Sequence, residues 1–278
     1  MAIRGGGLVP ITLTEGPMEQ TTGTAHIEVV PRDVQARGSF DGGRITECKP
    51  VCFPHEAGRQ KRIGPLFYWA LATASGKGRI GLHPHQGFEI LSYVLEGELG
   101  HYDTLGHRSR VGKGGVQVMQ TGSGVSHEEE TLGDHTVFFQ IWFEPALREA
   151  LGRAPTYSDH HHEDFPKRAE DGVTVKTILG EDSPIELVVD AGFADVHINS
   201  VGCYRRRLSA GRTLAVLAIA GGGMLTGAGA GTIPLQSGDL AVVCAGEDGM
   251  LEARPEASWR LAIIEVPTEV SYPLYPKM

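Results

Sequence analysis

The chain has 278 residues, of which 41% are hydrophobic and four are cysteines, and its formal net charge is −9. That length holds one large domain or two of average size, and the cysteines are too few for a disulfide framework. An acidic chain without a basic run excludes direct nucleic-acid binding through phosphates, and no apolar run approaches the roughly 20 residues of a membrane-spanning helix.

Residues 1–25 are rich in Gly and Thr without a sustained period and are read as a loosely held N-terminal arm. The first ten residues have no apolar stretch of the secretory-signal kind, so a cytoplasmic protein is expected. Short β-type runs at 26–30 and 51–53 alternate with turns such as Asp41-Gly42-Gly43. Gly64-Pro65 introduces an aromatic stretch over 66–71, read as a strand or turn. Residues 136–143 read as a strong strand and 145–151 as a short helix.

Between these lies the stretch that carries chemistry. It opens with His83-Pro84-His85-Gln86-Gly87-Phe88-Glu89 and closes with Thr121-Gly122-Ser123-Gly124-Val125-Ser126-His127-Glu128-Glu129. Side chains at i and i+2 share a face only on a strand, and the β-branched, apolar run after Glu89 supports that reading. A second strand over 116–119 leads through a Gly-rich turn to His127 and Glu129, again i and i+2. Two such pairs supply three imidazoles and one carboxylate to a single ion, a donor set suited to Fe, Mn, Co, Ni, Cu or Zn. Strand parity leaves the carboxylate open, because Glu89 shares the face of His83 and His85 as Glu129 shares that of His127.

Residues 152–172 are polar, include His160-His161-His162, and read as a linker. Beyond them, runs at 173–179, 185–189, 212–220, 239–244 and 259–266 read as a second all-β domain. A shift of 124 positions places Gly87 on Gly211, Gly97 on Gly221, Gly114 on Gly238 and Gly122 on Gly246. The same shift places Arg207, Ser209, Leu251 and Ala253 where His83, His85, His127 and Glu129 stand. An internally duplicated chain with one live site follows. Its expected segments are an arm (1–25), a metal-binding domain (26–151), a linker (152–172) and a metal-free domain (173–278). Cys48, Cys52 and His55 resemble half a zinc knuckle without a second pair and are read as ordinary thiols and a loop histidine. His101 and His107 flank a turn and are read as hydrogen-bonding residues.

The ordered blocks His83–Glu89, Leu95-Glu96-Gly97-Glu98, Asp103-Thr104-Leu105-Gly106 and Gln117–Glu129 resemble the pirin family of bicupins, whose blocks run HPHxGFE, DSxG and QWMTAGxGIxHxE. Departures fall at Gln86 (commonly Arg), Thr104 (Ser), Val118 (Trp) and Gln120 (Ala), none of them a ligand position. The resemblance implies two cupin-like jelly-roll barrels, the first binding one divalent metal, with Fe(II) the usual ion. It implies His83, His85, His127 and Glu129 as ligands, leaves Glu89 structural, and makes Glu129 the candidate catalytic base. It further implies a metal-dependent dioxygenase of the quercetin 2,3-dioxygenase kind, with a flavonol and dioxygen as substrates. The alternative it implies is a metal- or redox-sensing regulator that binds protein partners. A monomer without membrane or direct nucleic-acid contact is expected.

Overall fold

The computed structural model describes residues 26–227 and 229–275, so the expected arm over 1–25 lies outside the described residues. The described chain opens with β1 (His26–Val30), β2 (Ala36–Phe40), β3 (Ile45–Val51), β4 (Leu66–Ser75), β5 (Gly78–His85) and β6 (Glu89–Glu96). Then come β7 (Glu98–Asp103), β8 (Arg108–Gly112), β9 (Val116–Gln120), β10 (Val125–Thr131) and β11 (His135–Phe143). A single-turn helix α1 (Leu147–Ala150) leads to β12 (Thr156–His160), β13 (Lys167–Glu170), β14 (Val173–Leu179) and β15 (Gly192–Ile198). The last strands are β16 (Tyr204–Leu208), β17 (Arg212–Gly227), β18 (Gly231–Leu235), β19 (Leu240–Cys244) and β20 (Gly249–Pro267). The protein is all-β, as its patterning predicts.

Three sheets result among the described residues. A seven-stranded sheet runs β12-β9-β6-β11-β4-β3-β2, and a four-stranded sheet β5-β10-β7-β8 completes the N-terminal half. The third sheet runs β1-β19-β17-β20-β15-β14-β13, with β16 on β20 and β18 on β17. The central strands β4, β6 and β11 read as nearly continuous apolar runs because the seven-stranded sheet is covered on both faces. Trp69, Leu91, Phe139 and Ile141 share one core with Phe193, Leu217 and Ile264, so the two halves are packed together. Tyr93 crosses this junction, its hydroxyl donating to Asp195 at 2.6 Å, and Arg260 holds the same carboxylate at 2.7 Å.

The 124-residue repeat is visible in the strands. Shifted by that amount, β9 falls on β19, β10 with β11 on β20, and β6 with β7 on β17. Three of the four glycine pairs also share a left-handed backbone: Gly87 and Gly211 at φ 80° and 76°, Gly97 and Gly221 at 78° and 79°, Gly114 and Gly238 at 80° and 90°. At Gly97 and Gly221 a Cβ would meet a main-chain carbonyl oxygen at 2.3 Å and 2.0 Å, so close backbone approach requires glycine there as well.

Several strands differ from the sequence reading. β1, expected to begin the metal-binding domain, pairs instead with β19 of the C-terminal sheet. Residues 152–172, read as a linker, contain β12, which pairs with β9, and β13, which pairs with β14. Each half thus receives its edge strand from the segment leading into the other half, and polar edge strands resemble linkers in sequence. Residues 185–189 are not a strand. Their apolar character comes from Ile185 and Val189, which plug the shared core from a loop. No helix among the described residues is long and apolar enough to cross a membrane.

Candidate metal centre

β5 and β10 are adjacent and antiparallel, and their register sets His127 directly opposite His83, with Val125 opposite His85. Alternation then puts His83, His85 and His127 on one face of the four-stranded sheet, the face turned toward β6 and β11. β5 carries one residue more than β10 between the pairs His83–His127 and Ile80–Glu129. This bulge at Gly81-Leu82 resets the parity of β5, so Ile80 packs against the core while His83 still faces the site. It also frees the Gly81 carbonyl to accept the Nδ1 proton of His83 at 2.8 Å. A carbonyl can only accept, so Nδ1 carries a proton and Nε2 is the nitrogen left for an ion.

The three rings lie with centroids 4.5 Å (His83–His127), 4.7 Å (His83–His85) and 5.0 Å (His85–His127) apart. One ring nitrogen from each falls within 4.8 Å of the other two. Nε2 of His85 is buried and has no hydrogen-bond partner. A buried polar atom without a partner costs about 1–3 kcal/mol, and a shared ion is the partner this geometry accommodates. Burial holds the His85 imidazolium down to about 3, assisted by the neighbouring His127 and His83. His127 is likewise lowered to about 3, by burial first and then by His83 and His101. Both rings are therefore neutral near pH 7, the form that ligates a metal. The donor set and the orphaned nitrogen fit a divalent transition metal.

The fourth expected ligand lies on the same strand face but is not in the three-histidine group. The carboxylate of Glu129, 3% exposed, accepts from Gln140 Nε2 at 2.9 and 2.8 Å and from Ser92 Oγ at 2.8 Å. Glu89 is committed elsewhere, accepting from Gln120 Nε2 at 2.6 Å and from the main-chain N–H groups of Val188 and Val189 at 2.8 and 2.9 Å. His101 donates its Nε2–H to the Asp103 carboxylate at 3.1 Å, and its ring stacks on Tyr157 at 3.9 Å. His107 meets the same Asp103 carboxylate at 2.9 Å. These two histidines are hydrogen-bonded as expected, and His101 also adjoins the site, 5.5 Å from the His127 ring.

Sequence reasoning missed Gln140, Ser92 and Tyr157. Two of these carried a signal: Gln140 stands alone in Phe138-Phe139-Gln140-Ile141-Trp142-Phe143, and Ser92 in Ile90-Leu91-Ser92-Tyr93-Val94. A polar side chain inside an apolar strand needs a buried partner. Tyr157 carries none, because its polar edge strand has the composition of a linker.

The site opens through a cavity of about 560 Å³ lined by Pro84, His85, Gln86, Thr104, Ser123 and the turn to Ser126. Gln86 donates to the Ser123 carbonyl at 2.9 Å across its rim. Behind His85, Trp142 packs edge-on at 4.8 Å and joins Phe53, Phe67 and Tyr68 in an aromatic wall. A larger groove, about 620 Å³, lies on the C-terminal half and contains none of the three imidazoles. The thiol of Cys48 donates to Gln35 at 3.0 Å, and neither Cys48 nor Cys52 belongs to a metal-ligating group among the described residues.

Fold and site together define a duplicated all-β protein of the cupin kind with a three-histidine centre in its N-terminal half. Residues 57–143 match the Pirin family. That signature lies in the half that carries the three imidazoles, and with the curated relatives it supports a pirin-family cupin protein. The chain is 35% identical over 127 residues to Pirin-like protein 2 of Arabidopsis thaliana, a match covering 46% of this chain and 39% of that one. It is 38% identical over 123 residues to Pirin of Homo sapiens, covering 44% and 42%. With the Pseudomonas aeruginosa protein named "Putative quercetin 2,3-dioxygenase PA1210" it shares 39% over 105 residues, covering 37% and 43%. The matched stretch is thus less than half the length of each relative.

Among solved structures, GK1651 from Geobacillus kaustophilus superposes with a TM-score of 0.74 at 20% identity, covering 90% of this chain and 97% of that one. A quercetin 2,3-dioxygenase from Acinetobacter baumannii gives 0.75 at 18%, covering 92% and 91%. The Escherichia coli pirin YhhW in complex with nickel(II) gives 0.70 at 19%, covering 87% and 99%. At these identities the likeness establishes the fold.

Proposed function

We propose that the protein is a mononuclear metal-dependent dioxygenase acting on a flavonol such as quercetin. The observation that carries this reading is the convergence of three imidazoles, two of them held neutral, on the unpartnered Nε2 of His85 beneath an open cavity. The similarity to PA1210 over the same stretch supports the substrate class. His83, His85 and His127 hold the ion, Fe(II) by preference, with Glu129 beside them as the anionic fourth group. When bound, the ion supplies a Lewis acid that polarises a hydroxyl-bearing substrate. Glu129 accepts the hydroxyl proton, because its carboxylate is the anion on the site face of β10. Gln86, Thr104 and Ser126 line the approach with neutral hydrogen-bonding groups, and the aromatic wall behind His85 limits water from within. All four cysteines are free, which suits a reducing, cytoplasmic setting.

The second reading is a metal-sensing regulator that binds protein partners, favoured by the similarity to human Pirin and by the acidic charge of −9. Aerobic assay of a flavonol panel with metal-loaded protein separates the two. The enzyme consumes oxygen in step with flavonol and loses turnover in the His127→Ala variant. Absence of turnover across the panel, together with partner binding that changes when the metal is removed, establishes the regulator instead.

A further inference from the structure

We propose that Gln140 and Ser92 are positioning residues for Glu129, and that through it they set the affinity of the centre for a divalent ion. The inference rests on the metal-centre reading above and concerns side chains to which neither the family signature nor that reading gives a role.

The geometry is a closed set of four contacts. Gln140 Nε2 lies 2.9 Å from one carboxylate oxygen of Glu129 and 2.8 Å from the other. Ser92 Oγ lies 2.8 Å from the first of those oxygens and 3.0 Å from Gln140 Oε1. Each member is nine-tenths or more buried: Ser92 is 3%, Gln140 6% and Glu129 3% exposed. Three strands contribute one residue each. Ser92 and Gln140 are direct partners in the β6–β11 register, while Glu129 comes from β10 in the facing sheet. The set therefore spans the interior of the N-terminal half and ties the strand bearing His127 to the opposite sheet.

A glutamate side chain free to rotate loses rotamer entropy on binding an ion; one already held does not. Gln140 places its amide across both oxygens, which fixes the plane of the carboxylate, and Ser92 fixes its rotation from the side. Each carboxylate oxygen has two lone pairs, so an oxygen engaged by these donors keeps a site for a cation. Hydrogen-bonding groups that orient ligands in this way typically change metal affinity about 10–100-fold when removed. A purely structural role for Gln140 predicts something different: a stability loss independent of what stands at position 129.

The test is a double-mutant cycle read by cobalt(II) binding, measured by chelator competition and by the visible absorption of the bound ion. Gln140→Leu weakens cobalt binding about 10–100-fold in the otherwise native chain and has no further effect in a Glu129→Ala background. Ser92→Ala weakens it in the same direction, and Ser92→Thr, which keeps the hydroxyl, restores native affinity. Thermal unfolding of the metal-free variants identifies any that fail to fold, and Ser92→Ala with Ser92→Thr then carries the test. Equal losses with and without Glu129, or no loss in the native background, overturn the proposal. Cobalt binding indifferent to Glu129→Ala overturns it too. Cobalt retained by His127→Ala instead refutes the centre itself, so the two failures are distinguishable.

Discussion

Glu89 reaches out of the N-terminal half to accept the main-chain N–H of Val189 at 2.9 Å, one hundred residues later in the chain. The same carboxylate accepts from Val188 and from Gln120, so it joins the start of β6, the end of β9 and the loop over 185–189. Although Glu89 follows the His83-x-His85 pair within four residues, its oxygens are spent on this junction. Glu89→Gln puts an amide N–H group against main-chain donors. It is expected to lower stability by about 2 kcal/mol while leaving bound metal unchanged. Urea unfolding and metal titration of the purified variant check both halves. Loss of metal with stability intact would return Glu89 to the ligand set.

The lowered imidazoles predict a specific acid sensitivity of the metal-free protein. His85 and His127 are neutral in the folded state down to about pH 3, whereas the unfolded chain binds protons at its ordinary histidine value near 6.5. Between these values the unfolded state binds more protons, so stability rises with pH across the window and falls as pH drops below about 6.5. Replacing both by Gln removes that contribution. The metal-free double variant is expected to show a shallower loss of unfolding free energy from pH 7 to pH 4 than the native chain. Equal slopes would mean that the rings are not buried as neutral groups.

In the C-terminal half the register refines the 124-residue equivalence. Leu251, the counterpart of His127, stands opposite Arg206 and not Arg207. Arg206 is half-buried against Glu265, whereas Arg207 faces outward to Asp248. A fixed cation beside two side chains without donor atoms, Leu251 and Ala253, offers a divalent ion nothing. Arg207→Ala and Ser209→Ala are expected to leave metal content and activity unchanged. Leu251, fully buried, behaves differently: Leu251→Ala costs about 2–5 kcal/mol of stability yet leaves the metal in place. A crystal structure after metal soaking checks the premise, since an ion coordinated by protein within this half would contradict it.

Much of the centre was legible because its logic is local. His83 with His85, and His127 with Glu129, announce a shared strand face by spacing alone, and the glycines at 97 and 221 announce close backbone approach. What was not legible depends on register between distant strands. The three imidazoles meet because the β5–β10 register sets His83 opposite His127, and nothing in the spacing of the histidines shows that register. The clamp on Glu129 needs Ser92 and Gln140 opposite each other on β6 and β11, a pairing that spans 48 residues. β1 and β12 were misplaced for a related reason: edge strands paired on one side only have no distinctive pattern. The run over 185–189 misled in the opposite direction, since apolar residues that plug a core from a loop look like a short buried strand.

The proposed centre requires His83, His85 and His127 to hold one divalent ion. Its most direct test is the metal content of tag-free protein, stripped with a mild chelator and reloaded with Fe(II) without oxygen. One iron per chain is expected for the native protein, with loss of most of it in His83→Ala and in His127→Ala while both variants remain folded. Full stoichiometry in both variants would contradict it.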